Sequence, residues 1–293
     1  MTTKAPDPRE VPVAGRVVGV YEYGVPGGAP VMVLHGTPAC GAGFAWADEP
    51  ARERGLRLIA PDRPGVGLSS PVEGWAVADY PAELAALADA MDIDRFAVWG
   101  YSGGGPYAVA CAALLTDRAT SAAIAAGMGQ VGVWAEPDDF EKTDRQMLGL
   151  AVRRPALARA MLGVTGRLAR MSPKSAMKSF SKQLNDSDRE IVPTLGTPAE
   201  AMALFTRAFL RGARGVVADY AALARPWGVA VERIEIPVAV FHGDADTMVP
   251  LRHSEELVAR VPSARLTVWP AAGHLGAVAH VGEILDALHA SPT

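Results

Sequence analysis

The sequence predicts an α/β fold, a mainly parallel central sheet with helices on both faces, carrying an inserted all-helical segment. Three observations predict it. Short β-branched and apolar runs alternate with helix-period stretches through residues 16–126. From 131 to 228 that rhythm breaks, and no convincing strand signal remains. Strand signals resume at 237–241 and 265–269, before a closing helix over 281–289. Strands that alternate with helices imply parallel pairing, because a parallel neighbour is reached only through a crossover.

Taken in order, residues 16–23 are β-branched and aromatic, and Gly27-Gly28 turns them into the apolar run 31–34. A strand over 56–60 ends at Pro61. Asp79 is expected to cap a helix over 80–91, where Leu84, Leu87 and Met91 recur at i, i+3 and i+7. Residues 95–100 are apolar without alternation, as in a strand buried on both faces. An Ala-rich helix over 106–115 and a strand over 121–126 follow. In the break region, Pro155, Gly166, Pro173, Pro193 and Gly196 divide the chain into four or five helices. The expected organisation is a core of 1–130 and 229–293, with 131–228 as a cap over a site at the strand ends.

Composition narrows the classes. A chain of 293 residues suits one large domain carrying an insertion. With 28 basic and 32 acidic residues, the net charge of −4 makes no global case for a nucleic-acid or membrane partner. Residues 1–10 lack an apolar core, so no signal peptide is expected, and no run approaches the ~18 apolar residues of a membrane helix. Cys40 and Cys111 form no CxxC pair, which argues against a disulfide framework or a zinc site and for a cytoplasmic location. Segment 131–228 holds 15 basic and 10 acidic residues, a balance of +5 that leaves −9 for the rest. Such charges could draw in anionic substrates, but the solvated faces of amphipathic helices are the expected place for them. Met161, Leu162, Met202, Phe205 and Phe209 are candidates either to line an apolar pocket or to pack the cap.

The chemistry concentrates at Gly100-Tyr101-Ser102-Gly103-Gly104. Chance alone yields about 0.13 such G-x-S-x-G patterns in a chain of this composition, so the pattern needs its context. It has that context: a strand precedes it and a helix follows, the flanks of a serine nucleophile held on a tight turn. A serine needs a base, and the base needs an orienting acid. His274 is the base candidate, because it follows the 265–269 strand by the short loop 270–273, and His280 is the fallback. The acid comes from the loop after 237–241, where Asp244 and Asp246 compete and spacing does not separate them. A developing oxyanion needs two amides. Gly103 supplies one by position, and Thr37 of His35-Gly36-Thr37-Pro38 is the candidate for the other, since Pro38 has no N–H.

Read together, these segments resemble the α/β-hydrolase superfamily, specifically its capped single-domain branch of serine esterases, C–C hydrolases, cofactor-free haloperoxidases and epoxide hydrolases. The matching landmarks are His35-Gly36-Thr37-Pro38, residues 62–69, the 100–104 turn, Gly243-Asp244-Ala245-Asp246 with Val249-Pro250, and Gly273-His274. The resemblance implies Asp246 rather than Asp244 as the acid, and makes Asp62-Arg63-Pro64-Gly65 a scaffold turn outside the site. It implies hydrolysis of a carboxylic ester or related acyl bond in a small, apolar substrate, with no metal or cofactor. Ser102 departs from the carboxylate of epoxide hydrolases. Gly103 departs from the Met that follows the serine in similar haloperoxidases and C–C hydrolases. A receptor or pseudo-enzyme that keeps the three residues is the alternative from a different class, and haloperoxidase-type or C–C hydrolase activity the alternative within this one.

Overall fold

The computed structural model describes residues 5–289. Eight strands run in chain order as β1 (Arg9–Val13), β2 (Arg16–Gly24), β3 (Ala29–Leu34), β4 (Leu56–Pro61), β5 (Phe96–Tyr101), β6 (Ala119–Ala125), β7 (Val238–Gly243) and β8 (Ala264–Trp269). They join one sheet in the order β1-β2-β4-β3-β5-β6-β7-β8, antiparallel at β1-β2 and β2-β4 and parallel elsewhere. The predicted mainly parallel sheet is therefore present. Strand β5 is buried along almost its whole length, as its unbroken apolar run requires of a strand covered on both faces.

Helices α1 (Asp48–Glu53), α2 (Tyr80–Ala90) and α3 (Gly105–Leu114) connect the first strands. Between β6 and β7 come α4 (Lys142–Arg153), α5 (Pro155–Met171), α6 (Pro173–Ser181), α7 (Asp186–Ile191), α8 (Pro198–Arg207) and α9 (Arg214–Leu223). Then α10 (Arg252–Arg260), α11 (Gly276–Ala279) and α12 (Val281–His289) follow β7 and β8. Strands β6 and β7 are neighbours in the sheet, so everything between them is excursion from it.

Two elements add to the predicted pattern, and two local expectations need correction. Strand β1 leaves little signal in the sequence, because its five residues are interrupted by Pro12; proline is tolerated here at a sheet edge. Helix α1, under two turns long, leaves as little. Asp79 does not cap α2 with its side chain; its carboxylate accepts instead from the Ala76 amide at 2.7 Å, closing the preceding turn. The excursion contains six helices rather than four or five, because short α7 is set off by its Asn185 cap rather than by a proline or glycine.

The strand order places the site. Strand β4 lies on one side of β3 and β5 on the other, so the chain reverses direction of winding at β3. A crevice opens at the carboxyl ends of strands where such a reversal occurs. Leu34, the last residue of β3, pairs with Gly100 of β5, which brings the 35–38 loop beside the 100–104 turn.

Candidate active site

Ser102 sits between β5 and α3 at φ +54°, a left-handed conformation costly for a residue with a side chain. The turn around it is tight. A Cβ on Gly104 would lie 2.0 Å from the Leu34 carbonyl oxygen, and one on Gly100 would lie 2.6 Å from the Gly104 carbonyl oxygen. Gly103 answers to a different neighbour: a Cβ there would meet Thr37 Oγ1 at 2.7 Å. The Thr37 side chain thus occupies space that a larger residue after the serine would need.

His274 lies in the loop after β8, and its Nε2 is 3.0 Å from Ser102 Oγ. Its Nδ1 is 2.7 Å from Asp246 Oδ2. The other oxygen of Asp246 accepts from the amides of Met248 at 2.8 Å and Val249 at 2.9 Å, which fixes the carboxylate plane. Asp244 turns away and accepts from the Ala271 amide at 2.7 Å, tying the β7 loop to the β8 loop. Of the other histidines considered, His280 pairs with Glu283 at 2.8 Å on the surface.

Electrostatics suit a base at His274. Burial alone would favour the neutral ring, but Asp246 beside it, with Asp188 and Asp144 farther off, raises its pKa above the usual 6.5. Burial alone would likewise raise Asp246, yet the His274 charge and hydrogen bonds from His242 and His274 hold it well below the usual carboxylate range. A carboxylate held ionised against an imidazole keeps that imidazole in one tautomer.

Thr37, Ser102 and Gly103 line one cleft with Met128, Phe140, Asp144, Leu148, Tyr220, Leu223 and Val249; its open space, mouth included, is about 310 Å³. Met161, Leu162, Met202, Phe205 and Phe209 are absent from that lining. Leu162, Met202 and Phe209 are buried in packing instead, and Met161 is exposed. A second crevice, lined by Arg16, Ser69, Ser70 and Glu83 among others, contains none of these residues. Among the described residues no group of three or more His, Cys, Asp or Glu is placed to hold a metal ion.

Several site residues escape sequence reasoning. Arg63 is wholly buried, and its guanidinium donates to the carbonyls of His35 and Gly36 and to Thr37 Oγ1. Asp219 of α9 answers it, accepting from Arg63 Nε at 2.9 Å, Arg63 Nη2 at 2.7 Å, Thr37 Oγ1 at 2.5 Å and the Tyr107 hydroxyl at 2.7 Å. Burial works against Asp219 ionising, but Arg63 overrides it and lowers its pKa. The scaffold turn therefore also holds the backbone that carries Thr37.

On the opposite side of the site, Asp188 of α7 accepts from the amides of His274 at 2.9 Å and Leu275 at 2.7 Å. Asn185 donates to the Ala245 carbonyl at 2.6 Å. Asp144 of α4 accepts from the Tyr220 hydroxyl at 2.6 Å inside the cleft, and burial raises its pKa. Nothing in the spacing of these acids separates them from the solvated charges of ordinary helices; buried partners alone do so.

Comparison with known proteins bears on the fold. A family model described as alpha/beta hydrolase fold matches residues 29–280. An uncharacterised hydrolase of Bacillus subtilis, YcgS, is 24% identical over 260 residues, covering 88% of this chain and 89% of that one. A 2-hydroxy-6-oxo-2,4-heptadienoate hydrolase of Pseudomonas putida is 34% identical over 143 residues, 46% of this chain and 47% of its own length. Among solved structures, a thermophilic esterase from Thermogutta terrifontis superposes with TM-score 0.70 at 20% identity, covering 97% of this chain and all of that one. The enol-lactonase from Burkholderia xenovorans superposes equally well, TM-score 0.70 at 20% identity, over 96% of this chain and 99% of that one.

Proposed function

The chain belongs to the alpha/beta hydrolase fold family, and from that premise we propose that it is a serine hydrolase that cleaves a carboxylic ester, lactone or thioester through an acyl-enzyme. The observation that carries this reading is the unbroken line from Asp246 Oδ2 through His274 to Ser102 Oγ, at 2.7 and 3.0 Å. His274 takes the Ser102 proton as the oxygen attacks the carbonyl carbon. The negative charge that moves onto the carbonyl oxygen is held by the amides of Thr37 and Gly103. His274 then returns the proton to the leaving alcohol, water enters, and the same steps in reverse order free the acid. The chain's own groups suffice for the cycle.

In this reading 131–228 is a cap on a core of 1–130 and 229–293, and the cap closes the cleft. The Met, Phe, Leu and Val side chains that line the cleft favour an apolar acyl group. Esters and lactones are also what the esterase and enol-lactonase of similar fold are named for. Both cysteines are free and buried, which supports a reducing, cytoplasmic setting.

Short p-nitrophenyl esters test the assignment. Turnover is expected, with kcat falling about 10⁶-fold in Ser102→Ala while the thermal midpoint stays near that of the parent. A fluorophosphonate probe is expected to label the parent at Ser102 and not the variant. Undiminished turnover in the variant removes Ser102 as nucleophile. Failure of the parent to react with the probe favours a ligand receptor that keeps the three residues.

A further inference from the structure

Helix α5 is built the wrong way round for a helix that covers a core. Its buried residues are Ala158, Leu162, Gly166 and Ala169, of which only one is large. Its outward residues Leu157, Met161, Val164, Leu168 and Met171 are large, apolar and between 40% and 70% exposed. At the 100° per residue of an α-helix these five fall within an arc of about 80°, a single continuous stripe. The helix is not free to roll that stripe inward. A Cβ at Gly166 would already lie 3.1 Å from the Phe209 ring. A contiguous apolar surface of this kind marks a contact that water does not satisfy.

Charge identifies the contact. From Arg153 to Lys182 the chain carries eight Arg and Lys residues and no Asp or Glu. All eight are exposed, and none forms an ion pair among the described residues. Just outside this stretch, Arg145 and Arg189 do pair, with Asp138 and Asp186. The overall charge of −4, which taken alone argues against a membrane partner, conceals this segregation. Among the described residues no helix is long and apolar enough to cross a membrane, so any lipid contact of this helix is peripheral.

We infer that α5, with the adjoining lysines of α6, docks the protein on an anionic lipid surface, the apolar stripe entering the headgroup boundary and the cations meeting the headgroups. At the same spacing Arg167 falls beside the stripe, with Arg170 and Arg159 farther round on that flank; an apolar stripe flanked by cations is the form an interfacial helix takes, and each juxtamembrane cation adds to the attraction. A second copy fits the same face poorly. Two-fold pairing would set the stripe against itself and bring the same unpaired cations together. The inference does not depend on Ser102 being a nucleophile.

The test is co-sedimentation of the full chain with vesicles of phosphatidylcholine alone, and of phosphatidylcholine mixed with phosphatidylglycerol. Binding to the mixed vesicles is expected to be about tenfold or more tighter, and to weaken as salt is raised. Arg167→Glu with Arg170→Glu, and separately Leu168→Glu with Met171→Glu, should each reduce it by at least about tenfold. All four positions are exposed, and solution turnover of a soluble ester is expected to stay unchanged in both variants. Absence of binding, equal binding to both vesicles, or binding that survives both variants overturns the inference. A dimer by light scattering that the stripe variant dissociates assigns the face to a second copy instead. Binding of poly-glutamate but not of vesicles assigns it to an acidic protein.

Discussion

The carboxyl edge of the sheet and the helical excursion meet at one cleft but bring different kinds of group to it. The loops after β3, β5, β7 and β8 bring Thr37, Ser102, Asp246 and His274, which face one another. The excursion brings Asn185, Asp188 and Asp219, which face the loops rather than the cleft and hold them by backbone or guanidinium. The two holding acids also differ. Asp219 neutralises a fully buried charge, whereas Asp188 accepts only backbone dipoles. In the proposed reading the reacting groups sit on loops at the strand ends, while the excursion holds those loops in place. Changes in the first set should therefore register in turnover, and changes in the second in stability and pH response.

The sharpest test of that division lies within one loop. Asp246→Asn is expected to lower kcat about 10⁴-fold, equivalent to about 5.5 kcal/mol, because the imidazole loses its tautomer partner. Asp244→Asn removes only an acceptor for Ala271 and should retain most of the activity in the same assay. Comparable losses in both would erase the distinction between an orienting acid and a turn former.

Next in size is the contrast between the two holding acids. Asp219→Ala leaves Arg63 buried without its counter-charge, and urea unfolding should show a loss of about 3–5 kcal/mol. Asp188→Asn keeps one acceptor for two amides, and a loss of about 1–3 kcal/mol is expected, with residual turnover far above that of Asp246→Asn. A parent-like Asp219→Ala would mean that the ion pair does not hold the Thr37 loop.

The smallest expected effect concerns pH. A base at His274 works only when neutral, and the His274 pKa is raised above 6.5, so kcat/KM should fall as pH drops through that raised value. Asp144 is among the carboxylates that raise it. Asp144→Asn removes that negative charge, lowers the His274 pKa and should move the acid limb of the profile to lower pH, with kcat at the plateau little changed. A limb that stays in place, or moves upward, takes Asp144 out of the field at His274.

How much of this was legible in the sequence depended on how far apart along the chain the interacting residues stand. The strand, turn and helix around Ser102 are local, and the crowding that admits little but glycine at 100 comes from Gly104, four positions on. That demand is written in neighbouring letters. Spacing left Asp244 and Asp246 open, because both stand in one loop; the family resemblance implied Asp246, and the fold brings that carboxylate to a ring 28 residues on.

The sequence by itself determined the mainly parallel sheet, the all-helical excursion, and the turn that carries Ser102. Periodicity and steric crowding act between residues a few positions apart, so they leave a pattern in the chain. Tertiary structure alone decided that Asp188 and Asp219 are buried, since their partners lie 86 and 156 residues away. It also decided that α5 turns its small residues inward and its large ones out. Helix period marks where the apolar residues recur, but which face is desolvated, and which charge is compensated, depends on distant segments that the local pattern does not contain.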